Sequence, residues 1–149
     1  MLPDGFIKAI VKLINNSAET PKIYALDGID AKTINIAEKP MPVAVVSQNS
    51  FNPLSENNST AGRIGTVTIN IRLYTDNKFD VEGSEANTVL LDNAFEALQD
   101  IVIGEHRASP YLILSPVQFE GGARTGSQNL GNNQWIKYAD FIYSSIIRF

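Results

Sequence analysis

Thr66-Val67-Thr68-Ile69-Asn70-Ile71-Arg72-Leu73-Tyr74 decides how this chain is read. Val67, Ile69, Ile71 and Leu73 alternate with Thr66, Thr68, Asn70 and Arg72, the two-residue period of a strand with one apolar face. One face therefore packs on a core, and the other is wet or meets something polar. Upstream, Pro40-Met41-Pro42 blocks a helix and forces an extended approach to Val43-Ala44-Val45-Val46, a second strand core. The two runs read as an antiparallel hairpin. Between them, Gln48 to Gly65 is rich in Asn, Ser and Gly, with Phe51 and Leu54 apolar within it. Loops this long are uncommon in compact domains and are mostly functional or disordered. This segment is expected to be mobile and to seek a partner.

Two helices flank the hairpin. Phe6, Ile7, Ile10, Val11 and Ile14 form a wide apolar stripe, with Asp4 placed to cap and Lys8 and Lys12 on the other side. A helix is expected over residues 5–15, ending at Asn15-Asn16-Ser17. Lys22 to Leu26 reads as a short strand closed by the Asp27-Gly28 turn. The second helix is expected over 85–103, with Ser84 as N-cap and Gly104 as C-terminal cap. Leu91, Phe95, Leu98 and Val102 make its seam, beside Leu90, Ala94, Ala97 and Ile101. Asp92, Glu96 and Gln99 fall on the opposite side.

Two strands finish the chain. Tyr111 to Phe119 is apolar with Pro116 inside, which suggests an edge or a bulge. Gly121 to Asn133 reads as a wide hairpin loop. Trp135 to Phe149 carries apolar residues on both faces, and such a strand is covered on both sides. The expected fold is α+β: a mainly antiparallel sheet of about four or five strands, with two helices on one face. Covering the other face requires a partner. The 149 residues fit one domain, 1–149.

Composition removes many functions. Hydrophobic residues make up 44% and charged residues 19%, with a mean hydropathy of -0.06, which is globular composition. There is no apolar run long enough to span a membrane, and Lys8 and Lys12 interrupt the stretch where a signal peptide would lie. Zero cysteines exclude disulfides, thiolate metal sites and cysteine catalysis. His106 is the single histidine and makes poor material for a metal cluster or a proton shuttle. The net charge of -4 argues against a dedicated nucleic-acid binder. Residues 76–105 hold eight acids and one base, a net of -7, whereas the remainder carries +3. Such separation is a solvated helix face, or it steers copies of the chain together.

No chemical motif survives inspection. The glycines at 121, 122, 126 and 131 lack phosphate-loop spacing and precede a strand, so no helix N-terminus waits for a phosphate. Asp76, Lys78, Asp80 and Glu82 alternate like a calcium loop, but a lysine takes a ligand position. No G-x-S-x-G elbow occurs. No cofactor and no enzymatic activity are expected. One alternative of another class is a small carbohydrate- or ligand-binding module, with Trp135, Tyr138 and Tyr143 as its platform.

Taken in order, Pro42-Val43-Ala44-Val45-Val46, then Thr68-Ile69-Asn70-Ile71-Arg72-Leu73-Tyr74-Thr75, the amphipathic helix, and Asp140-Phe141-Ile142-Tyr143-Ser144-Ser145-Ile146-Ile147 carry a resemblance. The chain resembles the tail terminator (tail completion) proteins of long-tailed bacteriophages over nearly its whole length. The resemblance implies a homo-oligomeric ring, usually a hexamer, on the end of the tail tube. Such a ring stops tube polymerisation and offers a docking surface to the head. Its partners would be the tail tube protein, a head-completion or neck protein, and DNA passing through the lumen, with no membrane. It would be assembled in the host cytoplasm and reside in the virion tail. The longer Asn- and Ser-rich loop departs from the family pattern and leaves another neck or baseplate connector component open. The candidate partner-interface residues are Phe51, Leu54, Arg63, Asp92, Glu96 and Arg124.

Overall fold

Phe6, Ile7, Ile10 and Ile14 line one side of helix α1 (Asp4–Asn15), and all four are buried, as the apolar stripe requires. The structure is a computed structural model that describes residues 4–32, 36, 39, 42–53, 64–77, 93–101, 112–113, 117–129 and 135–148. After α1 come β1 (Tyr24–Asp27), a 3-10 turn (Asp30–Lys32), β2 (Val43–Pro53) and β3 (Ile64–Asn77). A second helix, α2, covers 93–101. The strands β4 (Leu112–Ile113), β5 (Gln118–Asn129) and β6 (Trp135–Arg148) follow.

Among the described residues six strands form one sheet in the order β1-β2-β3-β6, with β4 and β5 sharing the far side of β6. β1 runs parallel to β2, and the other pairs are antiparallel. Val67, Ile69, Ile71 and Leu73 share a buried cluster with Ile10 and Ile14 of α1 and with Ala94 and Leu98 of α2. Both helices therefore lie on one face, and the fold is α+β as the periodicities imply. A smaller cluster of Leu26, Val43, Tyr74 and Ile136 fills one end of the other face.

Several boundaries differ from the sequence reading. β2 runs on through Pro53 and β3 starts at Ile64, so Gln48–Pro53 is strand and not loop. Polar residues suit this stretch because β3 satisfies its backbone, with a register shift between Gln48 and Ser50. The run Tyr111–Phe119 is divided between β4 and β5, both paired to β6. Gly121–Asn129, expected in a hairpin loop, belongs to β5. Its glycines have local reasons. Gly121 sits at a bulge with φ +114°, where a side chain is strained. At Gly126 an added Cβ would meet the Tyr138 hydroxyl at 2.6 Å and its ring at 2.7 Å.

Helix α2 keeps Glu96 and Asp100 exposed and Ala94, Ala97 and Leu98 buried. Gln99, expected among the outward residues, instead accepts a 2.6 Å hydrogen bond from the Tyr143 hydroxyl. The caps assigned to Ser84 and Gly104 lie outside the described residues, as does His106.

Candidate assembly surface

The sheet face away from the helices carries, beside its smaller apolar cluster, a paired charge. Arg72 of β3 stands directly opposite Asp140 of β6. Its Nε and Nη2 donate to the two carboxylate oxygens at 2.7 and 2.9 Å. The guanidinium also lies 4.2 Å from the centre of the Tyr138 ring, and Tyr138 lies 6.1 Å from the ring of Tyr74. The hydrogen bond to Asp140 holds the Arg72 pKa above its ordinary value, so this cation is already paired within the subunit. The polar half of the β3 alternation thus spends its charge on a cross-strand neighbour.

The aromatic platform is not assembled. Tyr143 is fully buried on the helix side, with Phe119 at 5.5 Å. Burial pushes its phenol pKa up. Tyr138 lies between Arg72 and Gly126 on the other face. Tyr138 and Tyr143 therefore cannot form one sugar-stacking surface.

Two surface features are built at opposite ends of β1. Before the strand, the segment that leaves α1 passes close to α2. There Glu19, Pro21, Asn93, Glu96, Ala97 and Asp100 enclose a recess of about 320 Å³. Its floor includes the nearly buried Ala97, and its rim carries three exposed carboxylates. After the strand, Ile29 projects from the turn with 67% of its surface exposed. The turn is fixed by the Ile29 N–H donating to Asp27 Oδ1 at 3.0 Å and by the Gly28 N–H donating to the Val46 carbonyl at 3.0 Å. Exposed Lys8 and Lys32 line the same cavity as Ile29, which measures about 260 Å³.

The sequence candidates are dispersed. Phe51 is half-buried in β2, packs against the main core and presses on Gly65, where an added Cβ would lie 2.6 Å from its ring. Glu96 is exposed on α2 and borders the recess. Arg124 takes its place in β5 in register with Asp140. Leu54, Arg63 and Asp92 lie outside the described residues. The structure therefore sets Phe51, Glu96 and Arg124 on three different elements. Sequence reasoning passed over Ile29, Lys32 and Glu19. The available signal was a large aliphatic residue directly after Asp27-Gly28, where a turn tip is ordinarily polar.

No protein-family model and no curated protein matches the sequence. Among solved structures, the chain is similar to a chain from the virion of a native gene transfer agent (GTA) particle. The identity is 11% and the TM-score 0.53, over 95% of this chain and 93% of that one. The likeness runs nearly end to end on both sides, so what the two chains share is the whole fold and not one motif.

Proposed function

We propose that this chain is a structural virion protein, and that it acts as a tail terminator: a ring on the end of the tail tube that stops polymerisation and receives the head. The observation that carries the reading is the end-to-end likeness in fold to a chain of a virion particle. The order of strands and helix that resembles tail terminators points to the finer role. The ring is a homo-oligomer, a hexamer by resemblance, whose neighbours are the tube protein and a neck or head-completion protein. DNA passes through its lumen. No catalytic step is assigned to any residue.

Electron microscopy of the purified chain, alone and mixed with tubes of the tail-tube protein from the same virus, tests this. Rings that cap tube ends and halt their growth are the expected result. A ring that binds neck components but leaves tube growth unaltered would replace the terminator role with that of a connector. A monomer indifferent to tubes would overturn both.

A further inference from the structure

We infer that Ile29 of one copy, flanked by Lys8 and Lys32, seats in the recess at Pro21 and Ala97 of the next copy. The inference rests on the ring reading, because it supplies the contact by which copies follow one another. Ile29 is a large aliphatic side chain held out into water by a hydrogen-bonded turn, and covering it on another copy would gain apolar burial. The recess offers a cavity of about 320 Å³ whose lining is mostly polar, with Pro21 and Ala97 as its apolar part. The charges around the two features are opposite. Around the knob Lys8 and Lys32 outnumber Asp27, and Glu19, Glu96 and Asp100 rim the hole.

The placement forbids a copy from satisfying itself. Thr20 and Pro21 precede β1 and Ile29 follows it, so the strand separates the two features. Two different surfaces of one chain that fit each other make a head-to-tail contact, and such contacts close into rings when the rotation permits. Ion pairs at the rim are screened by salt and set orientation and encounter rate, while the aliphatic anchor supplies affinity.

The absence of native cysteine gives a clean test. Ile29→Cys and Asn93→Cys are introduced together, and the assembled protein is oxidised mildly. A ladder of cross-linked chains, ending at the ring number, is expected on a denaturing gel. Each single-cysteine variant alone should stop at dimers, and mixing the two should give a cross-linked pair. In parallel, Ile29→Asp should weaken self-association at least tenfold by analytical ultracentrifugation while the subunit stays folded by circular dichroism. Lys8→Glu with Lys32→Glu should do the same and recover when mixed with Glu96→Lys and Asp100→Lys. If wild-type rings form but show no ladder and tolerate Ile29→Asp, this contact is wrong and the ring reading stands. If Ile29→Asp leaves rings intact and abolishes only tube binding, Ile29 meets the tube and the contact is again overturned. If the wild type never associates, with or without tubes, both readings fall.

Discussion

Asn15 and Ala25 exchange two hydrogen bonds across ten residues of chain. The Asn15 amide donates to the Ala25 carbonyl at 3.0 Å, and the Ala25 N–H donates back to Asn15 Oδ1 at 2.7 Å. Ala25 is the second residue of β1, the strand at one end of the sheet, and its side toward β2 belongs to the ladder. The carboxamide thus takes the place of one residue of a neighbouring strand. Edge strands with open backbone groups invite foreign strands, and this one is closed at its middle by the last residue of α1. Lys22 strengthens the same corner, its ammonium reaching the carbonyls of Asn15 and Ser17 at the helix end.

Asn15→Ala should therefore cost about 1–3 kcal/mol, because two backbone groups of a buried residue lose their partners. Asn15→Asp should be equally damaging at neutral pH, since a carboxylate cannot donate to the Ala25 carbonyl. It should regain part of the loss when protonated below about pH 4, where the carboxyl group recovers a donor. Urea denaturation of both variants at pH 7 and pH 3.5 measures the difference against wild type.

Tyr143 ties stability to alkaline pH. Its phenol is held neutral by burial, with a pKa above the ordinary value of 10.0. Above pH 10 the unfolded chain releases this proton and the folded chain retains it, so stability falls as pH rises. Below pH 10 the contribution is intact. Tyr143→Phe should flatten the fall in melting temperature between pH 9.5 and 11.5. At pH 7 it should cost about 1 kcal/mol, because Gln99 Oε1 loses its donor.

The two aromatic-covered glycines should respond unequally to a methyl group. The atoms nearest an added Cβ at Gly126 belong to the Tyr138 side chain, whereas at Gly65 it meets the Asn52 carbonyl oxygen and the Phe51 ring, each at 2.6 Å. Backbone yields less than a side chain. Gly126→Ala should cost about 1 kcal/mol and Gly65→Ala about 3 kcal/mol. Combining Gly126→Ala with Tyr138→Ala should cost less than the sum of the two, a coupling that a thermal-melt cycle reads directly.

Arg72 and Asp140 form a two-point ion pair on a partly exposed face, so the coupling should be modest despite the good geometry. A double-mutant cycle with Arg72→Ala and Asp140→Ala should give about 0.5–1 kcal/mol, falling in high salt. Arg72→Lys should recover less than half of it, because an ammonium cannot make both bonds or stack on Tyr138.

The alternation of Thr66 to Tyr74 and the stripe on α1 were legible because each is a local pattern whose period states which face is buried. Gln48–Pro53 was not, since Asn, Ser and Pro read as loop until a second strand takes up their backbone groups. Gly121–Asn129 failed for a related reason: its glycines accommodate a bulge and the ring of Tyr138, which lies on the neighbouring strand. Gln99 has helical neighbours that place it outward, and only a hydroxyl 44 residues away turns it in. Arg72 could be placed on the polar face from its alternation, but its ion pair could not be read, because the partner carboxylate lies 68 residues on. Of the proposed contact, the acid of Glu96 could be read from helical periodicity. Ile29 has no period to belong to.

The strand at the heart of the sheet's far half is β6. It lies between β3 and the β4–β5 pair, yet it leaves the ribosome after every strand it joins. Until it arrives, β3 has one open side and β5 has no partner among the described strands. A nascent chain stalled before residue 135 therefore presents Val67, Ile69, Ile71 and Leu73 without Ala139, Phe141 and Tyr143 beside them. Such a fragment is sticky and a substrate for chaperones and proteases. Among the described strands the sheet is complete only once β6 is in place, so a copy cut short before residue 135 keeps the apolar face of β3 open on one side.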